Sequence, residues 1–127
     1  MARALALLLT LALSLGAAAP ASARRSIGSC RPANEADQTR IAFIGRADFD
    51  TGTVRGRIRG RRCRAQGRLA LTCGSVMREN LRQCTGTGRG GDCTVKGYLW
   101  GRTFEGQYDC AGDTGFFCWG YICPTNR

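Results

Sequence analysis

The chain has 127 residues, eight cysteines, 18 glycines and no histidine, with 19 Lys and Arg against nine Asp and Glu. That length allows one domain, and the absent histidine excludes Ser-His-Asp and Cys-His catalysis along with every histidine-containing metal site. What remains is a small, basic, cysteine-rich chain.

Residues 1–23 read as a signal peptide. Arg3 gives a positive start, Ala4 to Gly16 is an apolar run of h-region length, and Ala21-Ser22-Ala23 offers small residues for a signal peptidase. The run is too short to favour a membrane anchor. Cleavage after Ala23 leaves residues 24–127 as one domain with 18 basic and nine acidic residues. Secretion or a periplasmic location follows as the expectation. Residues 24–40 show no regular pattern and are expected to be irregular, tied down by Cys30.

From residue 41 a repeat emerges. Apolar-x-Gly-x-apolar occurs at Phe43 to Ala47, Val54 to Ile58 and Ala65 to Leu69, with the glycines 11 apart both times. It returns at Val95 to Leu99 and Phe104 to Tyr108, with a weaker copy, Asp113 to Phe117, keeping a spacing of nine. Alternation over five residues is the strand period. The fold expected is therefore small, all-β and disulfide-rich, with two antiparallel three-stranded meanders over 41–73 and 93–123. Between them Ser75 is placed to N-cap one short helix carrying Met77, Leu81 and Cys84 on one face. Thr85 to Gly91 reads as a glycine-rich loop. The segment Phe104-Glu105-Gly106-Gln107-Tyr108 resembles the glycine-centred hairpins of MORN repeats over these few residues. That family's downstream glycine spacing is missing, and the resemblance implies nothing further here.

Cys30, Cys63, Cys73, Cys84, Cys93, Cys110, Cys118 and Cys123 all follow the leader. An even count in a small exported chain reads as a disulfide framework. Zinc or redox chemistry would call for CxxC pairs, and none occurs, so neither metal nor cofactor is expected. If Gly97 faces Gly106, then Val95 meets Tyr108, Leu99 meets Phe104, and Cys93 stands opposite Cys110. Directly opposed residues lie close to bonding distance. A Cys93–Cys110 disulfide is predicted.

Pairing glycine with glycine also sorts the faces. Phe43, Ala47, Val54, Ile58, Ala65 and Leu69 share a core face. Arg46, Arg55, Arg57, Arg59, Arg64 and Arg68 share the opposite one. That register sets Arg46 beside Arg55, Arg55 beside Arg68, and Arg59 beside Arg64. Like charges so placed destabilise a sheet, which points to an anionic partner or to shielding by the chain's own acids. The near absence of lysine fits a GC-rich coding bias. Such a bias leaves the clustering on one strand face unexplained.

In the second meander Val95, Leu99, Phe104, Tyr108 and Phe117 are assigned to the core, and Lys96, Tyr98, Trp100, Glu105, Gln107 and Phe116 to the outside. Tyr98 and Trp100 are candidates for stacking on sugars or bases, although cover by the 118–123 tail is the more ordinary expectation. No catalytic motif can be named, so the chain is expected to be a binding module rather than an enzyme. Its arginine face would dock on an anionic polymer or envelope surface: lipopolysaccharide, acidic glycan or nucleic acid. The alternatives are an antimicrobial or toxin-like factor, and a protein–protein inhibitor or assembly factor of the envelope.

Overall fold

The computed structural model describes residues 24–120; the leader 1–23 and Cys123 lie outside the described residues. Eight strands follow one another: β1 (Arg24–Pro32), β2 (Thr39–Asp48), β3 (Thr53–Arg59), β4 (Gly67–Cys73), β5 (Arg82–Gly88), β6 (Cys93–Trp100), β7 (Thr103–Cys110) and β8 (Asp113–Trp119). Each pairs antiparallel with the next, and β1 also pairs with β8, so the sheet closes into a barrel. Closure removes both free edges, which two separate meanders would have left open to aggregation.

The expectation of two meanders joined by a helix is corrected in three places. Residues 24–32 are a strand rather than irregular chain. Residues 82–88 are a strand rather than a loop. The expected helix is a 3-10 turn at Arg78–Asn80, with left-handed backbone at Glu79 (φ 63°) and Asn80 (φ 56°). Ser75 therefore caps no helix; Met77 bridges to Leu81 instead, and Cys84 sits inside β5.

Five of the glycine-centred segments lie within β2, β3, β6, β7 and β8, while Ala65 to Leu69 enters β4 only at Gly67; the first hairpin of each group has the expected register. Gly45 faces Gly56, and Gly97 faces Gly106. The second hairpin of each group is displaced by two residues, so Gly56 faces Leu69 and Gly106 faces Phe117. A two-residue displacement keeps the side chains within the strands on their assigned faces, but Arg64 and Ala65, which precede β4, lie in the β3–β4 loop instead. The glycine pairs serve the core. With no Cβ in the way, the Phe43 ring lies across Gly56 and the Phe104 ring across Gly97 and Gly106. A methyl on Gly97 would overlap the Glu105 carbonyl and stand 2.6 Å from the Gly106 Cα. Gly97→Ala is expected to cost about 3 kcal/mol, at the upper end for overpacking. Denaturant unfolding checks this, and an unchanged midpoint would contradict it.

An eight-stranded barrel is just wide enough for side chains to fill. Phe43 stacks on Trp119 at 4.1 Å and Phe104 on Trp119 at 4.6 Å, while Phe117 carries the column on to Tyr108. Val95 and Leu99 are buried with them, as their strand alternation predicts.

One end of the barrel is plugged. The loop between β3 and β4 turns inward and buries Cys63 and Ala65. A disulfide ties Cys63 to Cys30 on β1, and the predicted Cys93–Cys110 disulfide spans β6 and β7 at the same end. Cys73–Cys84 joins β4 to β5 near the other end. Cys118 is disulfide-bonded as well, and no free cysteine is present among the described residues. Such bonds fit an oxidising compartment. No helix among the described residues is long and apolar enough to cross a membrane.

The Tyr108 hydroxyl is buried without a hydrogen-bond partner. Burial holds its pKa above the usual value, opposed by the charge of Arg64. The sign follows from the neutral form being favoured in the folded state. Below about pH 10 both states keep the proton, and above it the unfolded chain loses the proton first, so stability falls. Tyr108→Phe should leave stability at neutral pH unchanged or raise it by about 1 kcal/mol, and should reduce the alkaline loss. Thermal unfolding across that pH range measures both effects.

Candidate anion-binding wall

The outward residues of β1–β4 form a cationic wall. Arg25 faces Ile44, Ile44 faces Arg57, and Arg57 faces Arg68, one row across four strands. A second row sets Arg46 directly against Arg55. Arg59, opposite Ala42, extends the wall on the other side. All six arginines are exposed. Strands about 4.8 Å apart and outward residues about 6.8 Å apart along each strand place their Cα atoms on a regular grid.

Arg46, Arg55, Arg57, Arg59 and Arg68 thus share one wall. Two of the expected neighbours are corrected: Arg68 stands against Arg57, not Arg55, and Arg59 does not face Arg64. Arg64 leaves the wall altogether. It lies in the plug loop and pairs with Asp113 at 3.5 Å, the one ion pair between described residues. Both partners are largely exposed, so the pair contributes little to stability. Arg25 is a further member of the wall, and no apolar alternation in β1 marks it in the sequence as a strand residue.

No carboxylate interrupts the grid. Asp48 lies at the end of β2, and its Oδ1 accepts N–H bonds from Asp50 at 3.0 Å and Thr51 at 3.2 Å. The Thr51 amide is the larger influence holding this carboxyl below its usual range, with burial opposing it and Arg46 adding to the effect. This acid is held mainly by its own turn, and at the edge of the wall its charge touches Arg46 alone among the grid arginines.

The opposite wall, β5–β8, is close to neutral. Thr85, Lys96, Gln107 and Phe116 form one row across it, and Gln83, Tyr98 and Glu105 another. Arg31 lies over the Phe116 ring at 5.1 Å. Tyr98 is 42% exposed, and residues 121–123 of the tail expected to cover it lie outside the described residues. Trp100 is half-buried. Among the described residues no three cysteine or carboxylate side chains gather in a way that would hold a metal ion. No family model, curated protein or solved structure matches the chain.

Proposed function

We propose that this protein is an exported, disulfide-stapled barrel that binds an anionic polymer through the arginine wall of β1–β4. The observation that carries the reading is the pairing of Arg46 with Arg55 and of Arg57 with Arg68 on adjacent strands, with no acid between them. Directly opposed like charges cost stability in the free protein. A polyanion removes that cost and accepts bidentate hydrogen bonds from the planar guanidinium forks. Regular strand spacing suits a repeating ligand such as lipopolysaccharide phosphates, an acidic glycan or nucleic acid.

The test is a binding screen of the oxidised protein over lipopolysaccharide, acidic and neutral polysaccharides, and nucleic acid at rising salt. The expected result is retention by at least one anionic class, with affinity falling steeply as salt rises because binding releases counterions. Equal retention by neutral polysaccharide, or no retention by any anionic class, would overturn the reading.

A further inference from the structure

Among the described residues, no loop fills the barrel end opposite the plug. The first residues of β1, the β2–β3 turn and the β6–β7 turn surround a cavity of about 710 Å³. Its lining includes four arginines, Arg24, Arg25, Arg46 and Arg102, and two acids, Asp48 and Asp50. Barrel mouths are habitual ligand sites, and this volume lies within the range of about 300–1,000 Å³ common for small-molecule pockets.

The cavity is held from below and from one side. Phe43 and Trp119 reach its floor, are themselves buried, and are stacked on each other. They set its depth. Arg82 braces the β2–β3 turn, donating to the Asp50 carbonyl at 3.1 Å and the Gly74 carbonyl at 2.6 Å while lying over the Phe49 ring. Four guanidinium groups against two carboxylates, one of them engaged by backbone amides, leave the mouth positive. Arg25 and Arg46 belong to both the mouth and the wall, so the two surfaces are continuous.

We infer that the mouth is a distinct site for a sugar-sized oxyanion, a carboxylate- or phosphate-bearing unit at the end of the polymer. The polymer part of the inference rests on the wall reading above; the site itself does not. Arg24 and Arg102 belong to the mouth alone, and Arg57, Arg59 and Arg68 to the wall alone, which lets the two be separated.

The experiment is calorimetric titration of the oxidised protein with digalacturonate, glucose 6-phosphate and, as an uncharged control of similar size, maltose. Saturable binding of at least one anionic sugar is expected, and the tighter of the two identifies the source as carboxylate or phosphate. The double variant Arg24→Glu, Arg102→Glu should weaken that binding about tenfold or more, the loss of one or two charged contacts. Reversing Arg57, Arg59 and Arg68 should abolish polymer binding yet leave the sugar affinity within about twofold. No saturable binding of either anionic sugar, maltose binding as tightly, or equal sugar losses in both variants would overturn the inference. Sugar binding without polymer binding in the unaltered protein would overturn the wall reading and leave the mouth site standing.

Discussion

Reversing Arg55, Arg57 and Arg59 together to glutamate is expected to weaken binding of the anionic polymer by roughly 100-fold or more. Each exposed charged contact is worth about 1 kcal/mol, so three lost together amount to about 3 kcal/mol before repulsion is added. The dependence of affinity on salt should flatten, because about three fewer counterions are released. The fold should tolerate the change. All three side chains are exposed on β3, and the reversals remove the Arg46–Arg55 and Arg57–Arg68 repulsions. Arg61, Arg62 and Arg78, exposed and outside the strands, give a control triple with the same change in net charge. Equal losses from both triples would mean that net charge acts and the wall does not.

Replacing Cys30 and Cys63 by serine is expected to cost about 4 kcal/mol, the largest single loss of stability available among the described bonds. The two cysteines are 33 residues apart, against 11 for Cys73–Cys84 and 17 for Cys93–Cys110. Chain-entropy arguments give about 3 kcal/mol for the shorter loops. The difference is reinforced by position. Cys73–Cys84 and Cys93–Cys110 join strands that hydrogen bonds already hold together, whereas Cys63 anchors a loop whose Cys63 and Ala65 fill the barrel end. Where a whole domain is stable by about 5–15 kcal/mol, such a loss is a large share. Denaturant unfolding of the three paired-serine variants ranks them, and limited proteolysis should cut residues 60–66 first in the Cys30, Cys63 variant. A greater loss on removing Cys73–Cys84 would contradict this account of the plug.

Six of the eight strands were readable in the sequence because their inward positions carry large side chains at a period of two. Phe43, Val54, Ile58 and Leu69 mark β2–β4, and Val95, Leu99, Phe104, Tyr108 and Phe117 mark β6–β8. The two strands that escaped notice break that rule. In β5 the inward residues are Cys84, Gly86 and Gly88, while in β1 they include Gly28 and Cys30, and the one large apolar side chain, Ile27, points outward and is 41% exposed. Glycine there admits the neighbouring chain: a methyl on Gly86 would overlap the Ala70 carbonyl, and one on Gly28 the Cys118 carbonyl. Such strands are specified by what packs against them, which local periodicity does not record.

The sequence by itself determined that Phe43, Val54, Ile58, Leu69, Val95, Leu99, Phe104, Tyr108 and Phe117 face inward, the registers of the Gly45–Gly56 and Gly97–Gly106 hairpins, the Cys93–Cys110 bond and the common side of Arg46, Arg55, Arg57, Arg59 and Arg68. All of these follow from side-chain alternation and from glycines meeting across one hairpin, which are local constraints. Only the tertiary structure decided that β1 closes on β8, that Arg25 joins the wall while Arg64 leaves it for Asp113, and that Arg24, Arg46 and Arg102 meet around one mouth. Those outcomes bring together residues far apart in the chain. Closure is favoured by the edges it removes and the aromatic column it encloses, and both exist only once all eight strands are in place.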